Sequence, residues 1–213
     1  MALHVEIVSD FVCPYCYLLE ALLHRVEEHM DLEVRRLPYE LTEPPAPRED
    51  TYHDPQRRAR YAQQLDPVCR RIGLKMHLPP RVTPRPYTDL AFRGWHYAQE
   101  QGKGDVYHAR VFRAYFEEEL DIGDREVLAA LAGEAGLEPA DFLAALERDD
   151  YAAREAAAVR YAKETLKIRM VPTVLVGERR LEGFISSAEE LEQWLREAAN
   201  TEKEAVQRHR TQG

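Results

Sequence analysis

The sequence has few cysteines and lacks the features of secreted and membrane proteins. Three cysteines in 213 residues are too few for the disulfide framework of a small secreted protein. No apolar run approaches the length of about 20 residues that a membrane span needs. The opening MALHVEIV also lacks the basic region, apolar core and cleavage site of a secretory signal. We therefore expect a cytoplasmic protein with no membrane partner.

Concentrated positive charge is also missing. The net charge is -9, and the densest basic cluster, RRAR at 57–60, is too short to indicate nucleic-acid binding. With 45% hydrophobic and 31% charged residues, the chain has the composition of a globular protein. We expect no nucleic-acid partner.

Two of the three cysteines lie where one hydrophobic pattern changes into another. Apolar residues alternate with polar ones before them and recur at helical spacing after them: Leu3, Val5 and Ile7, then Leu18, Leu22 and Val26. The motif CPYC (13–16) therefore lies at a strand-to-helix step, with Cys13 at or beside the N-cap and Pro14 at the first helical position. Such a helix start stabilises an anion, and a thiolate at Cys13 is one.

Three interpretations of this pair compete. A redox pair explains the helix start, and the spacing lets Cys16 reach Cys13 to resolve a mixed disulfide. A metal site needs about four ligands, and no second CxxC or close histidine pair exists, so we expect no metal. Two buried small hydrophobes would not need this helix start. Cys69 lies in a helical, apolar neighbourhood and is interpreted as a packed thiol.

The whole chain divides into four parts by composition and hydrophobic pattern. Strand, helix and a second strand (DLEVRRL) occupy 1–38. A connector follows at 39–87, holding most of the prolines and a helical stretch at 55–74, and then helices to 164. Residues 165–198 return to β structure, with a hairpin formed by TVLVG and RRLEGFI before a final helix. Residues 199–213 are polar and without periodicity, so they predict a flexible tail.

Several polar residues predict where helices begin. Thr88, Asp105 and Asp124 are expected to cap three helices of the segment 39–164, and Pro139 suits the first turn of another. A long helix is predicted from about Tyr151 to Leu166. Ser187 and Glu190 have the spacing of a capping box for the last helix. His96 and His108 lie on predicted helices and are interpreted as surface histidines.

The order of these pieces carries a resemblance. A strand and CxxC helix, followed much later by VPT (171–173), a hairpin and a helix, looks like the thioredoxin fold. The helical segment between the halves resembles the DsbA-like family. CPYC with RPYTDLAF, FRAYFEEELDIGDREVL, LAGEAGL and MVPTVLVGERRLEGF is similar to its cytoplasmic FrnE-type branch, over about residues 3–198. The fold class this implies is α/β, thioredoxin-like with a large, mostly helical insertion.

The resemblance also implies roles for residues. Cys13 would be the nucleophile and Cys16 the resolving thiol, and Pro172 would be cis and pack against them. Substrate would bind at Val171 and Pro172 and at Pro14 and Tyr15.

The buried acid that some thioredoxin-like proteins keep beneath the cysteines has no clear equivalent in this sequence. Ile7 stands six positions before Cys13, and Glu6 should point to the other side of the strand. Water or Asp10 is left for proton transfer.

The function expected is thiol–disulfide exchange on protein or small-molecule disulfides or dithiols, with no tightly bound cofactor. Glutathione stays open as a reductant or co-substrate, and monomer and homodimer both stay open. Two alternatives remain. One is a glutathione-dependent isomerase or transferase of the kappa or hydroxychromene-carboxylate isomerase type, which typically carries serine at the leading position. The other is a non-enzymatic metal- or protein-binding module.

Overall fold

A computed structural model describes the backbone of residues 2–211 and the side chains of residues 2–201. Its one described sheet has the strand order β2-β1-β3-β4. The strands are β1 (Leu3–Ser9), β2 (Leu32–Pro38), β3 (Thr173–Val176) and β4 (Arg179–Glu182). The two ends of the chain thus build a single sheet, as expected from the order of the elements.

Strand pairing places the start of the chain in the centre of this sheet. β1 pairs in parallel with β2, Val5 opposite Val34, and antiparallel with β3, Ile7 opposite Val174. β3 and β4 form the predicted antiparallel hairpin, whose two-residue turn has Gly177 at φ 55°, a value that glycine adopts readily.

Within residues 2–211 the structure contains nine α-helices. They are α1 (Pro14–Glu27), α2 (Pro55–Gln64), α3 (Asp66–Ile72), α4 (Asp89–Glu100), α5 (Gly104–Phe116), α6 (Arg125–Glu134), α7 (Pro139–Leu146), α8 (Asp149–Arg160) and α9 (Ala188–Thr211), and a π-helical turn (Tyr161–Thr165) continues α8. The expected α/β architecture with a helical insertion is confirmed. None of these helices combines the length and apolar character needed to cross a bilayer.

One predicted helix is divided in two, and part of the predicted tail is helical. The stretch 55–74 divides into α2 and α3, since Pro67 has no N–H to continue the first helix. The tail expected at 199–213 is helical as far as Thr211, and residues 212 and 213 lie outside the described residues. Eight of the 13 residues from 199 to 211 are alanine, glutamate, lysine, glutamine or arginine, and the high helix propensity of these residues favours the extension of α9.

The capping predictions are correct at Asp124, which accepts hydrogen bonds from Glu126 N and Val127 N, and at Pro139. Asp105 is instead the second residue of α5, after the N-cap Lys103, where its charge still favours the positive helix end.

Two further caps differ in their partners. Thr88 precedes α4 but makes no cap hydrogen bond, because its side chain hydrogen-bonds to Asp10. Ser187 Oγ accepts from Glu190 N at 3.1 Å, as a capping box requires, whereas the Glu190 carboxylate accepts from Ser186 N at 2.9 Å.

Two hydrophobic clusters meet at the start of α1. One joins the inner face of the sheet to α1, α3 and α9, and includes Ile7, Leu22 and Leu195. The other fills the helical insertion and includes Phe112 and both Cys13 and Cys16. The cysteine pair therefore lies at the junction between the sheet layer and the insertion.

Candidate redox site

Cys13 lies at the N-terminus of α1. It is the N-cap residue, with extended backbone angles (φ -93°, ψ 114°), and Pro14 follows at the first helical position. The Cys13 carbonyl accepts from Cys16 N at 3.0 Å and Tyr17 N at 3.2 Å, and Cys13 N donates to Asp10 O at 3.0 Å. The backbone thus fixes Cys13 where unpaired helix N–H groups favour an anion.

Cys16 lies one turn further along, with no exposed surface. The Cys13 thiol lies beside it, and burial followed by this neighbouring thiol raises the pKa of the Cys16 thiol well above its usual value. All three cysteines are free thiols in this structure. The two thiols are therefore adjacent but unequal, since only Cys13 lies at the helix terminus.

The segment before β3 reaches the same sulfur from the other end of the chain. Val171–Pro172 is a cis peptide bond, and Cys13 Sγ donates to Val171 O at 3.7 Å. The Pro172 carbonyl accepts from Gly183 N at 2.8 Å, and Thr173 Oγ1 donates to Met170 O at 2.8 Å. The structure thus brings together Cys13, Cys16, Val171 and Pro172 from two sequence regions about 155 residues apart.

Tyr15, between the cysteines, belongs to an aromatic rim around the site. Its ring lies edge-on to Tyr61 at 6.0 Å and to Phe184 at 5.8 Å, and its hydroxyl donates to Gln64 Oε1 at 2.5 Å. Phe184 is 40% exposed and Met170 50% exposed. An ideal Cβ on Gly183 would lie 3.2 Å from Met170 Sδ, so these side chains form an apolar surface beside Val171.

Asp10 is a buried acid beside the two cysteines. It is fully buried, its Oδ2 accepts from Leu41 N at 2.7 Å and its Oδ1 from Val12 N at 3.4 Å. Burial raises the pKa of Asp10, although the hydrogen bond from Leu41, that from Thr88 and the nearby Arg85 charge oppose the shift. Asp10 also acts electrostatically on Cys16. The sequence leaves Asp10 and water as alternatives, because no local pattern indicates the turn after β2 that places Leu41 N against the Asp10 carboxylate.

Aromatic side chains fix the active-site turn to the helical insertion. Phe11 packs at 4.4 Å from Phe92 and 5.1 Å from Phe112. Tyr17 stacks between Phe112 and Phe116, at 5.4 Å from each, and donates to Glu117 Oε1 at 2.6 Å. The insertion therefore positions both ends of the CPYC turn.

The remaining sequence candidates lie away from the sulfurs. Cys69 is buried, and burial raises its pKa to about 11, in agreement with a packed thiol. The interpretation of His96 and His108 as surface residues is wrong: they are 4% and 2% exposed. Both lie on faces of α4 and α5 that the insertion core covers, and burial lowers the pKa of each to about 4. Among the described residues no group of three or more His, Cys, Asp or Glu has the geometry of a metal site.

Comparison with known proteins extends over nearly the whole chain. Residues 4–198 match the family model described as DSBA-like thioredoxin domain. The uncharacterised protein YwbO of Bacillus subtilis is 38% identical over 183 residues, which is 86% of this chain and 91% of that protein.

Solved structures are also similar to this chain over nearly its whole length. A "probable DsbA oxidoreductase" of Streptomyces coelicolor matches with a TM-score of 0.77 at 25% identity, covering 93% of this chain and 90% of that one. The "cytosolic disulfide reductase DsbM" of Pseudomonas aeruginosa, solved with GSH, matches with a TM-score of 0.62 at 22% identity, covering 96% and 100%. The strands and the helical insertion are thus shared as one thioredoxin-like fold.

Proposed function

The chain belongs to the DSBA-like thioredoxin domain family, and on this premise we propose that it is a thiol–disulfide oxidoreductase whose redox pair is Cys13 and Cys16. The observation that carries the proposal is the pair of neighbouring thiols, Cys13 and Cys16, at a helix N-terminus. Cys13 lies at a helix N-terminus, a position that favours an anion, and the burial of Cys16 keeps the Cys16 thiol protonated until the second step.

The proposed reaction is disulfide exchange in two steps. The Cys13 thiolate attacks one sulfur of a substrate disulfide, the S–S bond breaks, and the other substrate sulfur leaves as a thiolate. Cys16 then loses its proton and attacks Cys13 Sγ, which forms the Cys13–Cys16 disulfide and releases the second substrate thiolate. The substrate gains two electrons and the enzyme loses two. The reverse sequence oxidises a substrate dithiol.

Asp10 is the proposed base for the second step. Cys16 has to lose a proton inside a buried site, and the Asp10 carboxylate is a buried acid whose charge acts on that thiol. A carboxyl whose pKa is raised by burial is better matched to this transfer than an ordinary aspartate. In the reverse direction the protonated Asp10 returns the proton to the departing Cys16 thiolate.

The proposed substrate surface is the backbone at Val171 and the apolar side chains next to it. An extended peptide that pairs with this backbone would place its cysteine over Cys13, between Pro14 and Pro172. Tyr15, Phe184 and Met170 would contact the neighbouring apolar side chains. The exposure of Phe184 and Met170 supports a peptide substrate, because large apolar groups gain from being covered.

The enzyme proposed here works without a bound cofactor, in the cytoplasm, with a small thiol such as glutathione as its reductant. Support for the last two points comes from DsbM, whose structure was solved with GSH and whose name gives a cytosolic location. The first position of the CPYC motif is Cys13, not serine, and this favours disulfide cycling over the glutathione-dependent isomerase or transferase reaction.

Trapping tests the proposal. A Cys16→Ser variant, incubated with oxidised small thiols or disulfide-containing peptides, should accumulate a mixed disulfide on Cys13, visible by mass and released by a reductant. The matched control is the double variant Cys13→Ser/Cys16→Ser, in which Cys69 is the remaining thiol. An adduct on Cys69, or none on Cys13, would contradict the proposal; glutathione bound without a covalent adduct would favour the isomerase alternative.

A further inference from the structure

A second set of buried acids lies where the helical insertion packs on the sheet. Glu40 directly follows β2, Glu155 lies on α8, and they are 6% and 2% exposed. α8 packs against β2, and α4 packs against α8. These two glutamates therefore lie across the interface between the sheet and the insertion, and the redox chemistry described above does not use them.

The Glu40 carboxyl lies within hydrogen-bonding reach of the Glu155 carboxyl. Glu155 Oε2 lies 2.8 Å from His96 Nε2, and Glu155 Oε1 is buried without a hydrogen-bond partner among the described residues. Ionised carboxylates accept hydrogen bonds and donate none. A hydrogen bond between Glu40 and Glu155 therefore requires a proton on one of them.

The charges around the pair do not remove this requirement. The groups that face it are Asp10 from the turn after β1, Glu43 from the connector, Asp89, Arg93 and His96 from α4, and Lys163 from the π-helical turn. Four of the six are acids or a histidine, and the two cations are engaged elsewhere. Lys163 Nζ donates to the Glu40 carbonyl oxygen at 2.7 Å and to Glu43 at 2.5 Å, and Arg93 pairs with Asp89 at 3.0 Å.

We propose that Glu40 and Glu155 share one proton, and that this pair is a positioning element that sets the charge facing Asp10 and thereby the ionisation of Cys16. While the proton is present, the pair carries one negative charge and joins the insertion to the sheet. When it leaves, two carboxylates face each other beside Asp10, and the added negative charge opposes formation of the Cys16 thiolate. The effect on Cys16 rests on the proposed function, whereas the shared proton does not.

The pH range of this change follows from the burial of the pair. Burial, followed by the Glu155 charge, raises the pKa of Glu40 to about 8, and burial raises that of Glu155 as well. Between about pH 5 and 7.5 the folded protein therefore keeps a proton that an unfolded glutamate has lost. Unfolding should release about one proton in this window, so the free energy of unfolding falls as pH rises through it.

The test uses Glu40→Gln, because the amide donates to Glu155 Oε1 without titrating. The control is Glu43→Gln, which removes an acid that is 54% exposed. Infrared spectra at pH 6.5 should show a buried carboxylic-acid C=O band that disappears above about pH 8. Glu40→Gln should lose this band and the released proton, and Glu43→Gln should keep both. A wild type without the band, even if the variant fails to fold, would overturn the shared proton.

The effect of the glutamate pair on Cys16 is tested by the pH dependence of Cys16 attack on a mixed disulfide at Cys13. The midpoint of that step should move down by on the order of one pH unit in Glu40→Gln, since the second charge is absent. An unchanged midpoint, with the infrared result as expected, would overturn the link to Asp10 and leave the shared proton standing. A protein whose Cys16 never attacks Cys13 would instead contradict the proposed redox function, whatever the infrared result.

Discussion

Replacing Asp10 by asparagine should slow the reaction of Cys16 and leave that of Cys13 nearly intact. The Asp10 carboxylate is fully buried and accepts from the N–H groups of Leu41 and Val12. Asparagine has the same shape, and its Oδ1 still accepts from Leu41 N. It does not take up a proton under these conditions. The variant therefore removes the proposed base and keeps the better of the two contacts that hold the turn.

The expected magnitude follows from the burial of Cys16. Its pKa lies well above the usual value, so little thiolate is present at pH 7 without a base. General acid–base catalysis contributes about 10²–10⁴-fold. We expect Cys16 attack to slow by at least about 100-fold, or about 2.7 kcal/mol of activation free energy. The deficit should shrink as pH rises, because hydroxide then replaces the missing base.

One stopped-flow assay separates the two cysteines. A chromogenic aromatic disulfide releases one coloured thiolate when Cys13 attacks it and a second when Cys16 resolves the adduct. Asp10→Asn should keep the first phase within about threefold and slow the second by the factor derived above. The control Asp105→Asn removes a carboxylate that is 89% exposed and should change neither phase. Equal slowing of both phases, or an unchanged second phase, would refute the role of Asp10.

Four further outcomes are expected. Iodoacetamide at pH 7 should modify Cys13 first, because burial raises the pKa of Cys16 well above normal and that of Cys69 to about 11; peptide masses showing equal labelling would contradict this. Cys69→Ala should leave both colour phases unchanged and lower the free energy of unfolding by about 1 kcal/mol; a changed second phase would make Cys69 a redox partner. The buried His108, whose pKa is lowered to about 4, stays neutral when folded, so stability should fall by up to about 3 kcal/mol as pH drops from 6.5 to 4; urea unfolding of His108→Leu should show a shallower fall, and an equal one would refute the cause. Phe184→Ser should raise KM about tenfold for an apolar cysteine peptide and leave the small aromatic disulfide unaffected; equal effects on both substrates would argue against a peptide surface.

Local patterns were sufficient to predict the framework of the site. The alternation before Asp10 and the helical spacing after Cys16 predicted the strand-to-helix step, which the structure shows with Cys13 as N-cap. The position of Val171 and Pro172 beside Cys13 came from the resemblance, since nothing in the sequence near either segment refers to the other. The contact at 3.7 Å between Cys13 Sγ and Val171 O depends on β1 pairing with β3.

The polar interior was not predictable in the same way. Glu40, Glu155 and His96 look like ordinary surface residues in their own segments, and their burial arises where α4, α8 and the end of β2 pack together. Thr88 illustrates the same limit. Its position before α4 was predicted correctly, but its hydroxyl hydrogen-bonds to the buried carboxylate of Asp10, 78 residues earlier. Local helix propensity carries no information about such long-range partners.

The oxidised state of the protein tests the central claim most directly. The reduced chain is equilibrated with a series of glutathione redox buffers, quenched with acid and alkylated, and each cysteine is then located by peptide mass. The account predicts a single cooperative transition in which Cys13 and Cys16 become joined by a disulfide with the loss of two hydrogens, while Cys69 stays a free thiol throughout. A chain in which Cys13 and Cys16 stay separately alkylated at every potential, or in which Cys69 replaces either of them, would contradict the account.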